Sequence, residues 1–99
     1  MLIRIVRMTF RATQLDEFLV IFARSHEKIR AVPGCLHLDL LRDLDDPNVR
    51  ITYSLWASPD ALEAYRQGDL FRTTWAATKV LFAEKAVAFS AEKIDAMPG

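Results

Sequence analysis

Both histidines and the only cysteine of this 99-residue chain fall within one stretch, "HEKIRAVPGCLH", residues 26–37. His26 stands four residues after Phe22 and eleven after Leu15, on the apolar stripe of a helical pattern. Apolar surroundings disfavour imidazolium, so the ring is expected to be neutral near pH 7. A neutral imidazole facing a pocket can accept a proton from a phenol or an enol. The competing reading is a core or interface histidine bonded to a backbone carbonyl. His37 alternates with Cys35 and Asp39, where the carboxylate could order its ring. Cys35 and His37 together supply only two ligands, whereas zinc sites take at least three from the protein, so no metal site is expected. Cys35 follows Gly34 with no base beside it and reads as a small buried hydrophobe.

A second group of residues could shape a pocket. Tyr65 and Arg66 end a short helical segment, and the Tyr65 hydroxyl could donate to a substrate oxygen or simply pack against Leu62. Trp56, Trp75, Phe22 and Phe71 could form aromatic walls that favour a flat ligand, or belong to an ordinary core. No Ser-His-Asp arrangement, phosphate-cradling glycine loop or flavin fingerprint is visible.

The elements that would position these residues follow from hydrophobic period. Residues 2–10 alternate as a strand, with Leu2, Val6, Met8 and Phe10 on one side, interrupted by Arg4. Residues 13–32 change to helical spacing, with Asp16 and Glu17 at the positive end and Pro33-Gly34 as the stop. Strands are expected over 35–43 and 49–57, joined through the turn "LDDPN" as a hairpin. On the first of these, Cys35, His37, Asp39 and Leu41 would share one face, and Leu36, Leu38 and Leu40 the other. Ser58 and Pro59 open a helix, Gly68 breaks it, and it resumes over 69–86 with Phe71, Trp75, Thr78 and Phe82 on one stripe. A last strand is expected over 86–95. The order β-α-β-β-α-β is a ferredoxin-like α+β plan: a four-stranded antiparallel sheet with helices on one face. The uncovered face would be too apolar for water, so two sheets are expected to pack together in a homodimer.

Composition narrows the class. One domain spanning 1–99, with its core in 2–94, suits the length. Hydrophobic residues make up 52% of the chain, which excludes disorder. Thirteen basic and thirteen acidic residues cancel, so nothing points to nucleic acid or a membrane surface. Apolar runs such as "FLVIFA" are far shorter than the roughly 20 residues of a membrane span. A lone cysteine suits a reducing cytoplasm.

The segments "LDEFLVIFARSHEKIRAVPGCLHLDLLRD" and "VRITYSLWASPDALEAYRQGDLFRTTW" resemble the antibiotic biosynthesis monooxygenase (ABM) domain. The similarity runs from about residue 2 to 94, carried by "PGC" and by a strand ending in Trp56 before Ser-Pro-Asp-Ala-Leu. It implies a dimeric α+β barrel with a pocket between sheet and helices. The family includes cofactor-independent quinol or anthrone oxygenases, haem degraders, and an isomerase-like enzyme that degrades a phosphorylated signal. The haem branch carries an iron-ligating histidine where this chain has Trp75, and also departs at Tyr65 and on the first strand. The signal-degrading branch has a histidine at the place of His26, but its second histidine is replaced near Tyr65-Arg66.

Three functions remain open. One is a monooxygenase needing no cofactor, acting on a small quinol- or anthrone-like substrate with O2. In it His26 would be the base, Tyr65 the donor, and Trp56, Trp75, Phe22 and Phe71 the substrate-binding walls. Another is an isomerase moving a proton on a small hydroxyketone. The third is a non-catalytic dimer module that binds an aromatic or lipid-like ligand, or nothing.

Overall fold

The computed structural model describes residues 1–94. The chain runs β1 (Leu2–Thr9), α1 (Leu15–Arg30), β2 (Cys35–Arg42), β3 (Val49–Trp56), α2 (Pro59–Gln67), α3 (Asp69–Lys79) and β4 (Val87–Glu92). The strands pair antiparallel in the order β2-β3-β1-β4, which is the ferredoxin-like arrangement expected from the sequence. Its second helix is divided at Gly68 into α2 and α3.

Local chemistry explains most boundaries. Between β2 and β3, Asp43 Oδ2 accepts from the backbone N–H groups of Asp45 and Asp46, and Asp46 Oδ1 accepts from Asn48. These Asx bonds form the turn that the "LDDPN" composition predicts. Ser58 caps α2 by accepting from the Ala61 amide at 3.1 Å, with Pro59 at the first helical position. Gly34 has a φ of +86°, and a Cβ there would come within 2.4 Å of the Ala61 Cβ. Both the left-handed backbone and the close approach of α2 require glycine at that turn.

Four expectations need correction. Thr13 does not open α1: residues 12–14 form a 3-10 turn, and the helix follows Gln14 without a side-chain cap. The third helix stops at Lys79 rather than continuing to residue 86. Beyond it the backbone pairs with the end of β1, through Arg11 N–H to Leu81 O and Ala83 N–H to Thr9 O. Phe82 bridges Phe10 and Leu81 is buried, so tertiary pairing overrides the helical spacing. The final strand covers 87–92 of the expected 86–95, whose last residue, 95, lies outside the described residues.

The fourth correction concerns β2. Cys35 pairs with Trp56 and His37 with Leu55, leaving Leu36 as a bulge. The extra residue resets the alternation. Cys35 and Leu38 therefore turn into the core, Leu36 is exposed, and His37 and Asp39 lie on the uncovered face.

The helices cover one face of the sheet in two packed clusters. One contains Met8, Phe10, Phe18 and Leu81; the other contains Cys35, Trp56 and Leu62. The opposite face carries rows set by strand register, such as Asp39–Tyr53–Ile5–Phe89 and His37–Leu55–Ile3–Ala91. No helix among the described residues is long and apolar enough to cross a membrane.

Candidate active site

Between the two clusters, sheet and helices enclose a cavity of about 290 Å³. β1 contributes Arg4, Val6 and Met8, and β3 contributes Thr52, Ser54 and Trp56. Phe18, Phe22 and Ser25 reach it from α1, Tyr65 and Arg66 from α2, and Phe71, Thr74, Trp75 and Thr78 from α3. A cavity of about 150 Å³ holds one benzene, so this space suits about two fused rings.

The aromatic walls are ordered by mutual contact. Tyr65 stacks on Trp56 at 5.0 Å between centroids and meets the edge of Phe71 at 5.3 Å. Phe71 lies parallel to Trp75 at 5.9 Å. The Trp56 indole N–H donates to Ser54 Oγ at 3.0 Å, so Trp56 acts as a wall and its donor is already used. The Ser25 hydroxyl donates to Ile21 O and the Thr78 hydroxyl to Thr74 O, each binding its own helix backbone.

Tyr65, Arg4 and Arg66 on the lining keep donors for a ligand, and the hydroxyls of Thr52 and Thr74 can donate or accept there. Burial, reinforced by nearby Cys35, pushes the Tyr65 phenol up to about 12. Tyr65 is therefore protonated at neutral pH, a donor and not a base. Burial and the neighbouring charge of Arg66 both lower the pKa of Arg4. Among the described residues no carboxylate and no imidazole lines the cavity.

The structure thus brings together Tyr65, Trp56, Trp75, Phe22 and Phe71, but not His26. The His26 ring packs 5.3 Å from Phe22, and its Nε2 lies 3.3 Å from Leu38 O on β2. A carbonyl only accepts, so Nε2 carries the proton in this bond, which ties α1 to the sheet. Helical geometry explains the displacement. The stripe entering the core runs through Phe18, Ser25 and Ile29, all buried. His26 is rotated from Ser25 by one residue, about 100°.

On the far face, His37 Nε2 meets Asp39 Oδ2 at 2.7 Å. Cys35 points into the core instead, and burial pushes its thiol up. Among the described residues no group of three or more His, Cys, Asp or Glu side chains could hold a metal ion. Sequence reasoning missed Arg4, Ser25 and Ser54 as lining residues and gave Arg66 no role there. Arg4 had left a visible signal, a charge in the apolar row of β1.

The profile of the antibiotic biosynthesis monooxygenase family matches residues 1–77. The chain belongs to the ABM family. Solved structures share the fold over nearly its whole length. A protein described as an antibiotic biosynthesis monooxygenase superposes with a TM-score of 0.89 at 21% identity, covering 96% of this chain and all (100%) of that one. A mutant of SnoaB, a cofactor-independent oxygenase from Streptomyces nogalater, gives 0.85 at 21%, covering 99% and 97%. A conserved protein from Methanosarcina mazei Go1 gives 0.87 at 16%, covering 93% and 92%. No curated protein matches the chain. At these identities the similarity among ABM structures speaks for the fold, and the chemistry must be argued from the cavity itself.

Proposed function

We propose that this ABM-family chain is a cytoplasmic monooxygenase that uses O2 without metal or flavin on a flat aromatic substrate of the quinol or anthrone type. The observation that carries this reading is the aromatic slot whose charged groups are both cations and whose buried phenol is a donor. The oxygenase activity of SnoaB, on the same fold, supports it. Phe22, Phe71, Trp56 and Trp75 would hold the rings, while Tyr65 would donate to the substrate oxygen as negative charge develops there.

The chemistry is substrate-assisted. An anthrone-type carbon loses a proton, and its enolate passes one electron to O2. The radical and superoxide combine into a C–O bond and a peroxide, which breaks at O–O. One oxygen atom stays as the new carbonyl, and the other leaves as water with the two hydrogens of the oxidised carbon. The substrate supplies all the electrons, so no outside reductant is needed. The proton is assigned to water at the cavity mouth rather than to His26, whose ring is engaged with Leu38 O.

The assembly proposed is a homodimer through the uncovered sheet face, where Val87 and Phe89 are each more than half exposed. Apolar surface of that kind favours association. Light scattering should give twice the chain mass at micromolar concentration, and a monomer would remove the dimer.

The decisive measurement is oxygen uptake by metal-stripped protein with two- and three-ring quinols and anthrones, against heat-denatured protein. Uptake above that control, reduced by Tyr65→Phe and preserved in His26→Ala, is the expected result. Equal uptake by native and denatured protein across the panel would reject the oxygenase.

A further inference from the structure

Arg4 occupies a position where an aliphatic side chain would be expected. It interrupts Leu2, Val6, Met8 and Phe10 on the core-facing side of β1 and lines the cavity. Among the described residues no carboxylate lies within 4 Å of its guanidinium. One side-chain bond holds it, Nη1 donating to Ser90 Oγ on β4 at 3.1 Å. A guanidinium has five N–H donors, so most of its capacity is uncommitted. Arg66 approaches the same cavity from α2. Its partner, Glu63, is 3.3 Å away on the solvent side, with both side chains about half exposed, so that pair is weak.

Two like charges facing one cavity repel each other, and neither α1 nor α3 contributes a charged side chain to the lining. From β3 the nearest polar contribution is Ser54, whose hydroxyl donates to Arg4 O at 3.5 Å. From α2 it is Tyr65, another donor. An anion matches this group best, because it accepts from the donors and also offsets the two positive charges. We propose that Arg4 and Arg66 form an anion clamp that takes the oxyanion of an aromatic ligand, with its rings in the Tyr65–Phe71–Trp75 slot.

This inference deepens the oxygenase reading and in part rests on it. It supplies a means of removing the substrate proton where the described lining offers no carboxylate or imidazole. By stabilising the phenolate or enolate, the clamp makes the substrate itself more acidic, and water can carry the proton away. Free phenols ionise near pH 10, and each tenfold preference of the site for the anion lowers that by about one unit. A carboxylate substituent on the substrate would engage the same donors.

The test uses binding alone. Naphthalene, 2-naphthol and 2-naphthoate are titrated calorimetrically into wild type, Arg4→Gln, Arg4→Lys and Arg66→Gln, and the ionised fraction of bound 2-naphthol is read from its absorbance. Naphthoate should bind wild type at least about tenfold more tightly than naphthalene, and bound 2-naphthol should be more ionised than free 2-naphthol at the same pH. Arg4→Gln should lose about tenfold or more for naphthoate but keep its naphthalene affinity, which shows that the slot is still folded. Arg4→Lys should recover part of the loss. Tighter naphthoate with un-ionised naphthol would keep the clamp and assign it to a carboxylate substituent. Equal binding of naphthalene and naphthoate, unchanged naphthoate binding by Arg4→Gln, or no binding of any probe would each overturn the clamp. Anion selectivity without oxygen uptake would retain the clamp and remove the oxygenase. Oxygen uptake without anion selectivity would do the reverse.

Discussion

The two ends of the helix-covered face are built from the same residue types but packed to different purposes. Around Phe10 the rings are closed: Phe10 stacks on Phe18 at 4.3 Å and tilts against Phe82 at 5.4 Å, and Phe10 is 1% exposed. Towards Tyr65, Phe71 and Trp75 the rings touch one another yet stay half-buried around open space. Interiors normally reach crystal-like density, and a void forfeits contacts that its lining could have made. The closed end therefore carries more of the stability per residue. On the proposed reading, the open end gives up packing to admit a ligand. That contrast supports the proposal that the cavity is a site rather than a packing defect.

The largest effect should come from hollowing the closed end. Phe10→Ala removes a ring with no room to compensate and should cost about 3–5 kcal/mol. Urea unfolding measures this directly. A loss below about 1 kcal/mol would mean that the Phe10 cluster is no better packed than the cavity wall, and the contrast would fail.

Tyr65 should give the next largest effect, through pH. Its pKa of about 12 in the folded protein lies above the unfolded value near 10. The unfolded chain therefore releases this proton first, and stability falls as pH rises from about 10 to 12. Below pH 10 the contribution is fully present. Two pH units correspond to about 2–3 kcal/mol. Unfolding at pH 9, 10 and 11 should show a steeper alkaline loss in wild type than in Tyr65→Phe. Identical slopes would mean that the phenol is not buried as the Trp56 stack implies.

His26→Ala sits between the two ends and should cost about 1 kcal/mol, from the lost bond to Leu38 O and the contact with Phe22. Turnover should survive. A collapse of oxygen uptake without loss of stability would return His26 to the chemistry.

How far the sequence could anticipate this molecule varied with the kind of signal. Hydrophobic period located every strand and both helical regions, because period reports which face is buried. Gly68 and Pro33-Gly34 marked their breaks for local steric reasons. The Leu36 bulge left no such mark: one unpaired residue reversed the expected facing of Cys35 relative to His37, and nothing in "PGCLHLD" separates it from plain alternation. The end of α3 was hidden because the pairing of residues 81–83 with β1 joins segments about seventy residues apart. Within the site, Phe22, Phe71 and Trp75 were legible as rings at helical spacing, and Trp56 as the end of a strand. The histidine was misjudged by one residue of helix phase, where Ser25 reaches the cavity instead. Arg4 was legible as an anomaly, but its meaning depends on Arg66, which the chain brings near only through the fold.

The smallest stability effect belongs to the open end itself. Phe71 belongs to neither packed cluster, lies edge-on to Tyr65 and is only half-buried. Phe71→Leu trims a ring beside a space that already exists, so unfolding should shift by less than about 1 kcal/mol. Ligand binding should respond more strongly, because one face of the slot loses its flat wall. Affinity for 2-naphthoate should fall several-fold, on the order of the 0.5–1.5 kcal/mol that aromatic pairs contribute beyond area burial. Anion preference should remain, since Arg4 and Arg66 are untouched. A stability loss as large as that of Phe10→Ala, with ligand affinity unchanged, would invert the comparison: the rings around the cavity would then be core, and the space between them incidental.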